Sequence, residues 1–289
     1  MDTFVVEKDE DTAYILEKKS GEIKLGANGV AMLSYTEYMN VFPDSERAKQ
    51  YGELVRKLAN GILELQDSET GEYTHVLDYP SYELIEKFRT IYYDGEATFA
   101  LVRAYEVTKD ERFLNGAVKA VEHFIDNDYA KWRDHWVSYA LFEVTKHVPR
   151  PEFYEFALEN ADKNLEAIYK RAESIPTRLE LFMLSWRTYQ RALADKIDSD
   201  YIKDYDPTRF AQTIYYRARH MLNGYFAPEI AMYMKAPENI VGSFMIRDDD
   251  FRVRIDDTQH FIGGYYFYSQ YYHEFREFLS DEFIQGLEE

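Results

Sequence analysis

The 289-residue chain contains no cysteine, which excludes disulfide bonds, thiolate metal ligands and cysteine nucleophiles. Its apolar runs are shorter than the roughly 18 residues that a transmembrane helix needs, so we expect no membrane span. The first residues, MDTFVVEKDE, are polar and charged and lack the apolar segment of a signal peptide. These absences predict a cytoplasmic protein.

Positive charge is scarce, because 34 Lys and Arg stand against 53 Asp and Glu, for a net charge of −19. An acidic surface of this kind repels nucleic acids and anionic membranes, so we expect no nucleic-acid partner. An anionic substrate would need a locally basic site. The sequence does not indicate an oligomeric state.

Glycine and proline are also few, at 13 and 8 residues, whereas aromatic residues are abundant, with 26 Tyr and 19 Phe. Hydrophobic residues make up 46% of the chain, which is typical of a globular protein. Buried Tyr hydroxyls need hydrogen-bond partners. Part of the Tyr content is therefore expected to line a groove or cavity, although a large helical core could also use it.

Five segments share one pattern, a polar or glycine-containing start followed by a densely apolar stretch. They begin at Gly26, Tyr93, Arg133, Thr177 and Arg254. Most are followed by an amphipathic segment, as in DERFLNGAVKAVEHFIDND, where apolar residues recur at i, i+3, i+4 and i+7. Cap residues at Lys109-Asp110 and Pro43-Asp44-Ser45 precede two of these amphipathic helices. The repeat therefore predicts helical hairpins, each with an inner and an outer helix.

Two stretches interrupt the repeat, residues 67–90 and 225–255, and both contain Pro, Gly and β-favouring residues. We interpret them as insertions with short β-hairpins at the mouth of a cavity, FRVRI at 251–255 being a candidate strand. Residues 1–24 are expected to form another two-stranded ribbon. No linker divides the chain, so a single domain over 1–289 is predicted.

The predicted fold class is all-α, an α/α toroid built from helical hairpins. Inner helices that are apolar nearly all round favour closure around a shared core. Only four full hairpins and a final helical segment are visible, so the toroid is expected to be small or incomplete.

The starts of the inner helices carry the candidate site, because in a toroid these first turns converge on one cavity. Carboxylates and histidines there suit acid–base chemistry. The candidates for catalysis are Glu96, Asp134, His135, Asp256 and His260. The candidates for substrate binding are Asn28, Tyr93, Asp94, Trp136, Arg178, Glu180, Arg254, Gln259 and Tyr265. Simpler interpretations stay open, since the aspartates could be helix caps and His135 a core residue.

Familiar catalytic motifs are missing, including HExxH, GxSxG, CxxC and a Gly-rich phosphate loop. The run Asp248–Asp250 resembles the acidic motif of terpene synthases, which would bind Mg²⁺. It lies in a Gly- and Pro-flanked insertion, so a solvated loop is the favoured interpretation. We therefore expect neither a metal nor another cofactor.

The segment YYDGEATFALVRAYEVTKDERFLNGAVKAVEHFI, followed by RDHWVSYAL, resembles the α/α-toroid carbohydrate-active superfamily. This superfamily includes six-hairpin glycosidases, glucuronyl hydrolases, N-acylglucosamine 2-epimerases and the C-terminal domains of glucuronyl C5-epimerases. The shared pattern is G-E/Q-A, an apolar stretch, then L-x-R-A-Y-x-x-T-x-D-x-x-F/Y-L, and it covers about one hairpin closely.

The resemblance implies an enzyme that acts on a sugar or oligosaccharide. His135 with His260 would match the catalytic histidine pair of the 2-epimerases, and Asp94 or Asp134 the aspartates of the glucuronyl hydrolases. We expect a glycoside or uronide hydrolase or a sugar epimerase, with Arg178 or Arg254 holding any acidic group. The alternative is a non-catalytic helical-repeat protein that binds or scaffolds a partner.

Overall fold

A computed structural model describes residues 2–170, 175–246 and 249–287, and the described part is predominantly helical. The chain divides into two compact units, Met1–Ala157 and Leu158–Glu289. The expectation of a helical protein is confirmed, with a small antiparallel sheet added to it. The single domain expected over 1–289 stays a prediction, and each unit is described below by itself.

The first unit contains a five-stranded antiparallel sheet in the order β1-β2-β3-β4-β5. The strands are β1 (Val5–Glu7), β2 (Ala13–Glu17), β3 (Glu22–Lys24), β4 (Val76–Asp78) and β5 (Leu84–Glu86). The ribbon expected in residues 1–24 thus has three strands, and the 67–90 insertion adds a hairpin to its edge. Ile23 of β3 lies opposite Leu77 of β4, which joins two segments far apart in the chain.

The helices of the first unit form two layers. They are α1 (Leu25–Val41), α2 (Glu46–Glu64), α3 (Tyr92–Thr108), α4 (Glu111–Asp126) and α5 (His135–Val144), while α6 (Pro151–Asp162) runs across the boundary between the units. Helix α3 packs between α1 and α5 in one layer, and α2 and α4 pack behind them. This is the hairpin order that the repeat predicts, so α1, α3 and α5 are called the inner helices.

Side-chain caps begin several helices where the sequence predicts them. Ser45 Oγ accepts a hydrogen bond from the Ala48 amide at the start of α2, at 3.1 Å. Asp110 accepts one from the Arg112 amide at the start of α4, at 3.0 Å. Lys109, directly before Asp110, has φ = 60° and so turns the chain out of α3. Each cap satisfies an amide that the helix itself leaves without a partner.

The inner helices approach so closely that their backbones are in contact. A Cβ atom at Gly29 of α1 would lie 2.9 Å from the carbonyl of Glu96 in α3. A Cβ atom at Gly95 of α3 would lie 2.6 Å from the amide nitrogen of Val137 in α5. Both distances are shorter than a carbon can tolerate against rigid backbone, so these two positions require glycine.

Many tyrosines of the first unit are core residues whose hydroxyls have partners. Tyr14 is buried and donates to Glu64 at 2.6 Å, and Tyr35 donates to Asp2 at 3.1 Å. Buried Tyr73 is within hydrogen-bond distance of Thr98, at 3.2 Å. These residues correspond to the second explanation for the high Tyr content, namely a large core.

The second unit contains α7 (Leu165–Lys170), α8 (Thr177–Ala194), α9 (Asp200–Lys203), α10 (Thr208–Met221), α11 (Pro228–Ala231), α12 (Ile255–Glu277) and α13 (Asp281–Gln285). Helix α8 packs against α12, and α10 packs against both of them and against α7. Trp186 is fully buried between Phe210 and Phe275, and its indole N–H donates to Glu274 at 3.1 Å.

The expected β-hairpin in residues 225–255 is reduced to isolated bridges. Among the described residues, Tyr225 pairs with Phe244 and Ile246 with Arg252. Of the predicted strand FRVRI, Arg252 takes part in a bridge with Ile246 among the described residues, and Ile255 is the first residue of α12. Short 3-10 helices complete the described structure, at Asp2–Phe4, Tyr129–Trp132, Leu222–Gly224 and Pro237–Asn239.

Replacing Gly29 by Ala is expected to destabilise the protein by about 1–3 kcal/mol, because the new methyl group overlaps the α3 backbone. The measurement is the free energy of unfolding by chemical denaturation. The matched control is Gly52→Ala in α2, where the nearest atom to the new Cβ is the flexible Met39 Cε at 3.7 Å. This control should be neutral or slightly stabilising, and equal losses in both variants would contradict the close approach.

Candidate functional site

The first turn of α3 contains a buried Asp–His–Tyr cluster. Asp94 Oδ1 lies 2.7 Å from His75 Nε2, and the Tyr129 hydroxyl donates to Asp94 Oδ2 at 2.9 Å. The Arg89 amide donates to His75 Nδ1 at 2.9 Å. Nδ1 is therefore an acceptor, and the proton of a neutral His75 lies on Nε2, where it is donated to Asp94. This arrangement fastens the loop around β4 and β5 to α3, so Asp94 is neither a helix cap nor open to a substrate.

Glu96 lies at the start of α3 with its carboxyl against α1. A Cβ atom at Gly26 would lie 2.2 Å from both Glu96 Oε2 and the Tyr93 ring, so the absent side chain of Gly26 is what leaves room for them. Burial and the charge of nearby Asp134 both raise the pKa of Glu96, to about 8. At neutral pH this side chain is mainly a carboxylic acid, which is the state a general acid needs.

Asp134 and His135 form the start of α5, next to Glu96. Asp134 is fully buried, and its Oδ1 accepts a hydrogen bond from the Trp136 amide at 3.0 Å, so the cap interpretation is confirmed. His135 is also buried, with Nδ1 3.4 Å from Asp134 Oδ1. The cap role does not remove Asp134 from the site, because its charge acts on Glu96.

Aromatic rings extend this site along α3 and α5. Phe99, one turn after Glu96, stacks on Tyr139 with ring centroids 5.3 Å apart and lies 6.4 Å from Trp136. Tyr92 lies edge-on to His135 at 5.9 Å and is nearly half exposed, at 45%. Tyr93 lies beside the Glu96 carboxyl at Gly26. Carboxyl groups and ring faces of this kind are found in sites that bind sugar rings.

Asn28, a predicted substrate-binding residue, has a structural role in α1. Its Oδ1 accepts a hydrogen bond from the Ile15 amide at 2.8 Å, and its Nδ2 donates to the Lys24 carbonyl at 2.7 Å. The side chain is fully buried and connects strand β2 to the helix. These contacts use the amide for packing.

In the second unit, Glu180 of α8 and His260 of α12 form a close pair. Glu180 Oε2 lies 2.6 Å from His260 Nδ1, and Glu180 is fully buried. A Cβ atom at Gly263 would lie 2.5 Å from Glu180 Oε1, so this glutamate also rests against a glycine of the neighbouring helix. A buried carboxylate that orients a histidine is a common arrangement for a catalytic base. Arg178, two residues earlier, is half-buried in the first turn of α8.

At the start of α12 the buried carboxylate is Asp257. It accepts hydrogen bonds from Arg252, at 3.1 Å to Nε, and lies 3.5 Å from Arg254 Nε. Asp256, one of the five predicted catalytic residues, is instead exposed and paired with Arg254. The period of the helix accounts for the difference, since a shift of one position turns a side chain by about 100°.

The other predicted residues of α12 differ in exposure. Gln259 is exposed, and the Tyr265 hydroxyl donates to the Ala218 carbonyl at 2.6 Å. In the acidic run, Asp249 pairs with Arg252, and Asp248 lies outside the described residues. A chelating role for this run gains no support from the ion pair with Arg252.

The structure thus brings Glu96, Asp134, His135 and Tyr93 together in the first unit, and Glu180 and His260 in the second. Sequence reasoning missed His75 and Tyr129 as partners of Asp94, because a single histidine in a loop gives no local signal. It also missed the glycines Gly26 and Gly263 as contacts of the two glutamates, although the segments GANG and FIGGYY contain them.

Comparisons of the chain with protein-family models, with curated proteins and with solved structures gave no match. Among the described residues, no helix combines the length and apolar character needed to cross a membrane. The functional assignment therefore depends on the chemistry of the site.

The elevated pKa of Glu96 makes a prediction about stability. The folded state holds this proton up to about pH 8, whereas the unfolded chain releases it near 4.5. Between these values the native state binds more protons than the unfolded state does. The free energy of unfolding of wild type therefore decreases as pH rises. Glu96→Gln removes this loss, and its free energy of unfolding relative to wild type should therefore increase between pH 5 and pH 8. A difference that stays constant over this range would show that Glu96 ionises normally. The control variant is Glu53→Gln. Glu53 is an exposed glutamate that forms an ion pair with Arg56.

Proposed function

We propose that this protein is a carbohydrate-active enzyme of the α/α-toroid type, most simply a glycoside hydrolase, with Glu96 as its general acid. The observation that carries the proposal is the Glu96 carboxyl, which is half-buried near Asp134 and mainly neutral at physiological pH because its pKa is about 8. Two neighbouring carboxyl groups, one protonated and one ionised, are the usual equipment for cleaving a glycosidic bond.

Each side chain has a definite task in the proposed reaction. Glu96 donates its proton to the glycosidic oxygen as the bond from that oxygen to the anomeric carbon breaks. The charge of Asp134 stabilises the positive charge that develops on the sugar ring. Water then attacks the anomeric carbon, and the proton it loses restores Glu96. Tyr92, Tyr93 and Trp136 offer ring faces for the sugar. The reaction needs neither a metal nor another cofactor.

The layers of the first unit support the toroid as the proposed architecture. Inner helices α1, α3 and α5 lie side by side with α2 and α4 behind them, the order found in a ring of helical hairpins. The starts of α3 and α5 then meet at the same end of the layer, where Glu96 and Asp134 interact. Closure of the ring, a cytoplasmic location and the absence of a nucleic-acid partner stay predictions.

A neutral glycoside fits better than a uronide. Arg254, which together with Arg178 was a candidate to hold an acidic sugar, is paired with Asp256 and lies near Asp257. Its charge is therefore already compensated by two carboxylates.

Sugar epimerisation is the second candidate function, and the Glu180–His260 pair favours it. Epimerisation requires a base that removes a proton from carbon, and a histidine held by a buried carboxylate suits this task. The two candidates make different demands. Hydrolysis depends on the protonated form of Glu96, whereas epimerisation depends on the neutral form of His260.

The test is turnover of a panel of neutral, amino and acidic glycosides and free sugars by wild type and by Glu96→Gln. If Glu96 is the acid, the variant should lose about 10²- to 10⁴-fold in kcat. Wild-type activity should also fall as pH rises through about 8, where Glu96 loses its proton. His260→Gln should keep hydrolysis largely intact but abolish any epimerisation. The control variant is Glu46→Gln, because Glu46 is highly exposed.

Full activity in Glu96→Gln would refute the proposed acid. Sugar binding without turnover anywhere in the panel would instead support a non-catalytic binding or scaffold protein.

A further inference from the structure

We propose that this protein forms a homodimer through the exposed face of α12, with the α12 helices of two copies packed antiparallel about a two-fold axis midway between Ile262 and Tyr266. The proposal concerns an interaction surface of the second unit. It goes beyond the proposed function and does not depend on Glu96.

One face of α12 is exposed along most of the helix. Six of its exposed residues follow one another at spacings of four, three, four, three and four positions, namely Ile255, Gln259, Ile262, Tyr266, Ser269 and His273. We call these six residues the α12 seam. A spacing that alternates between four and three keeps side chains on one line along a helix, and it is the pattern of helices that pack against each other in a coiled coil.

The α12 seam exposes large apolar side chains to water. Ile255 is 91% exposed, Ile262 58% and Tyr266 61%. Single exposed apolar residues are common on globular proteins, but a row of them along one helix face marks a surface that binds another molecule.

The charge of this face favours a second copy of the chain as its partner. From Thr258 to His273 the helix contains no Asp, Glu, Lys or Arg, although these residues make up 30% of the chain. Two copies that each carry a net charge of −19 repel each other, so they associate most readily through a surface without charge. A basic partner would gain more from the acidic surface elsewhere than from this face.

Antiparallel packing matches the α12 seam with itself. With the axis midway between Ile262 and Tyr266, Ile262 of each copy lies opposite Tyr266 of the other, so the apolar positions meet twice at the centre. Gln259 then lies opposite Ser269 of the second copy, where an amide and a hydroxyl can form a hydrogen bond. Like groups therefore face like groups along the seam.

The ends of the helix favour the antiparallel orientation over the parallel one. The last turn contains Glu274 and the exposed Glu277. Parallel packing would bring two copies of this acidic turn together, whereas antiparallel packing separates them by nearly the length of the helix. The helix dipoles of the two copies also run in opposite directions, which lowers their repulsion.

The area of the face determines the expected strength of the dimer. Ile255, Ile262, Tyr266 and the 37% exposed Tyr272 each leave on the order of 100 Å² of side chain accessible. With the polar residues between them, the face approaches the roughly 800 Å² per copy that a standard protein interface buries. We therefore expect a reversible dimer with a Kd on the order of micromolar.

The first experiment is sedimentation equilibrium of the full chain at concentrations on both sides of this Kd. Wild type should change from a monomer of 34.3 kDa to a dimer of twice that mass as the concentration rises. Ile262→Lys places a charge in the apolar centre of the interface, so it should raise the Kd about tenfold or more. The matched control is Leu84→Lys on β5 of the first unit, because Leu84 is 59% exposed, and this variant should dimerise as wild type does.

The absence of cysteine allows a second experiment that reports the orientation of the helices. Gln259→Cys and Ser269→Cys proteins with tags of different size are mixed and oxidised. In the antiparallel dimer the two cysteines face each other, so the mixture should give a disulfide-linked heterodimer. Gln259→Cys alone should not cross-link, since its two copies would lie about 15 Å apart along the helix axis, beyond the reach of a disulfide.

The two experiments leave clear ways to overturn the proposal. A monomer at every concentration, or equal weakening of the dimer by Ile262→Lys and Leu84→Lys, would show that the α12 seam is not the interface. Cross-linking of Gln259→Cys alone in preference to the mixture would show parallel helices. A monomer that instead sediments with phosphatidylcholine vesicles would assign the face to a lipid surface and would also overturn the dimer.

Discussion

Close contact between packed helices at a glycine is the constraint on which both candidate sites depend. Glu96 lies against Gly26 in the first unit, and Glu180 lies against Gly263 in the second. In each case a Cβ atom on the neighbouring helix would occupy the place of a carboxylate oxygen. The missing side chain lets a carboxyl group lie between two packed helices, where it is shielded from water, in or next to the first turn of its own helix.

Burial then determines the chemistry of these carboxyls. The many acidic side chains at the surface pair with Lys or Arg or are solvated, and they contribute charge without special reactivity. Glu96 instead has its pKa raised to about 8 by burial and by Asp134. Glu180 is oriented toward His260 at 2.6 Å. The same packing therefore yields a neutral acid in one unit and a carboxylate–histidine pair in the other. The net charge of −19 predicts neither of them.

Local features of the sequence predicted much of the fold, because helical periodicity and caps act over a few residues. The hairpins, Ser45, Asp110 and Asp134 as caps, and Glu96 as a site candidate all followed from such patterns. What depends on distant contacts could not be predicted. The union of residues 1–24 and 67–90 in one sheet requires the pairing of Ile23 with Leu77. Likewise Asn28 was predicted to bind substrate, but its hydrogen-bond partner Ile15 lies in a distant strand. The prediction named Asp256, whereas the buried carboxylate is Asp257, because which of the two is buried depends on the rotation of α12 about its axis.

The most direct measurement of the central claim is the pKa of Glu96 in wild type and in Gly26→Ala, followed by ¹³C NMR of the labelled carboxyl. In wild type the carboxyl should titrate near pH 8. The new methyl group in Gly26→Ala would displace the carboxyl toward water, so its pKa should fall toward the ordinary value of 4.5. A pKa that stays near 8 in a folded Gly26→Ala protein would contradict the claim that this glycine contact creates the acid.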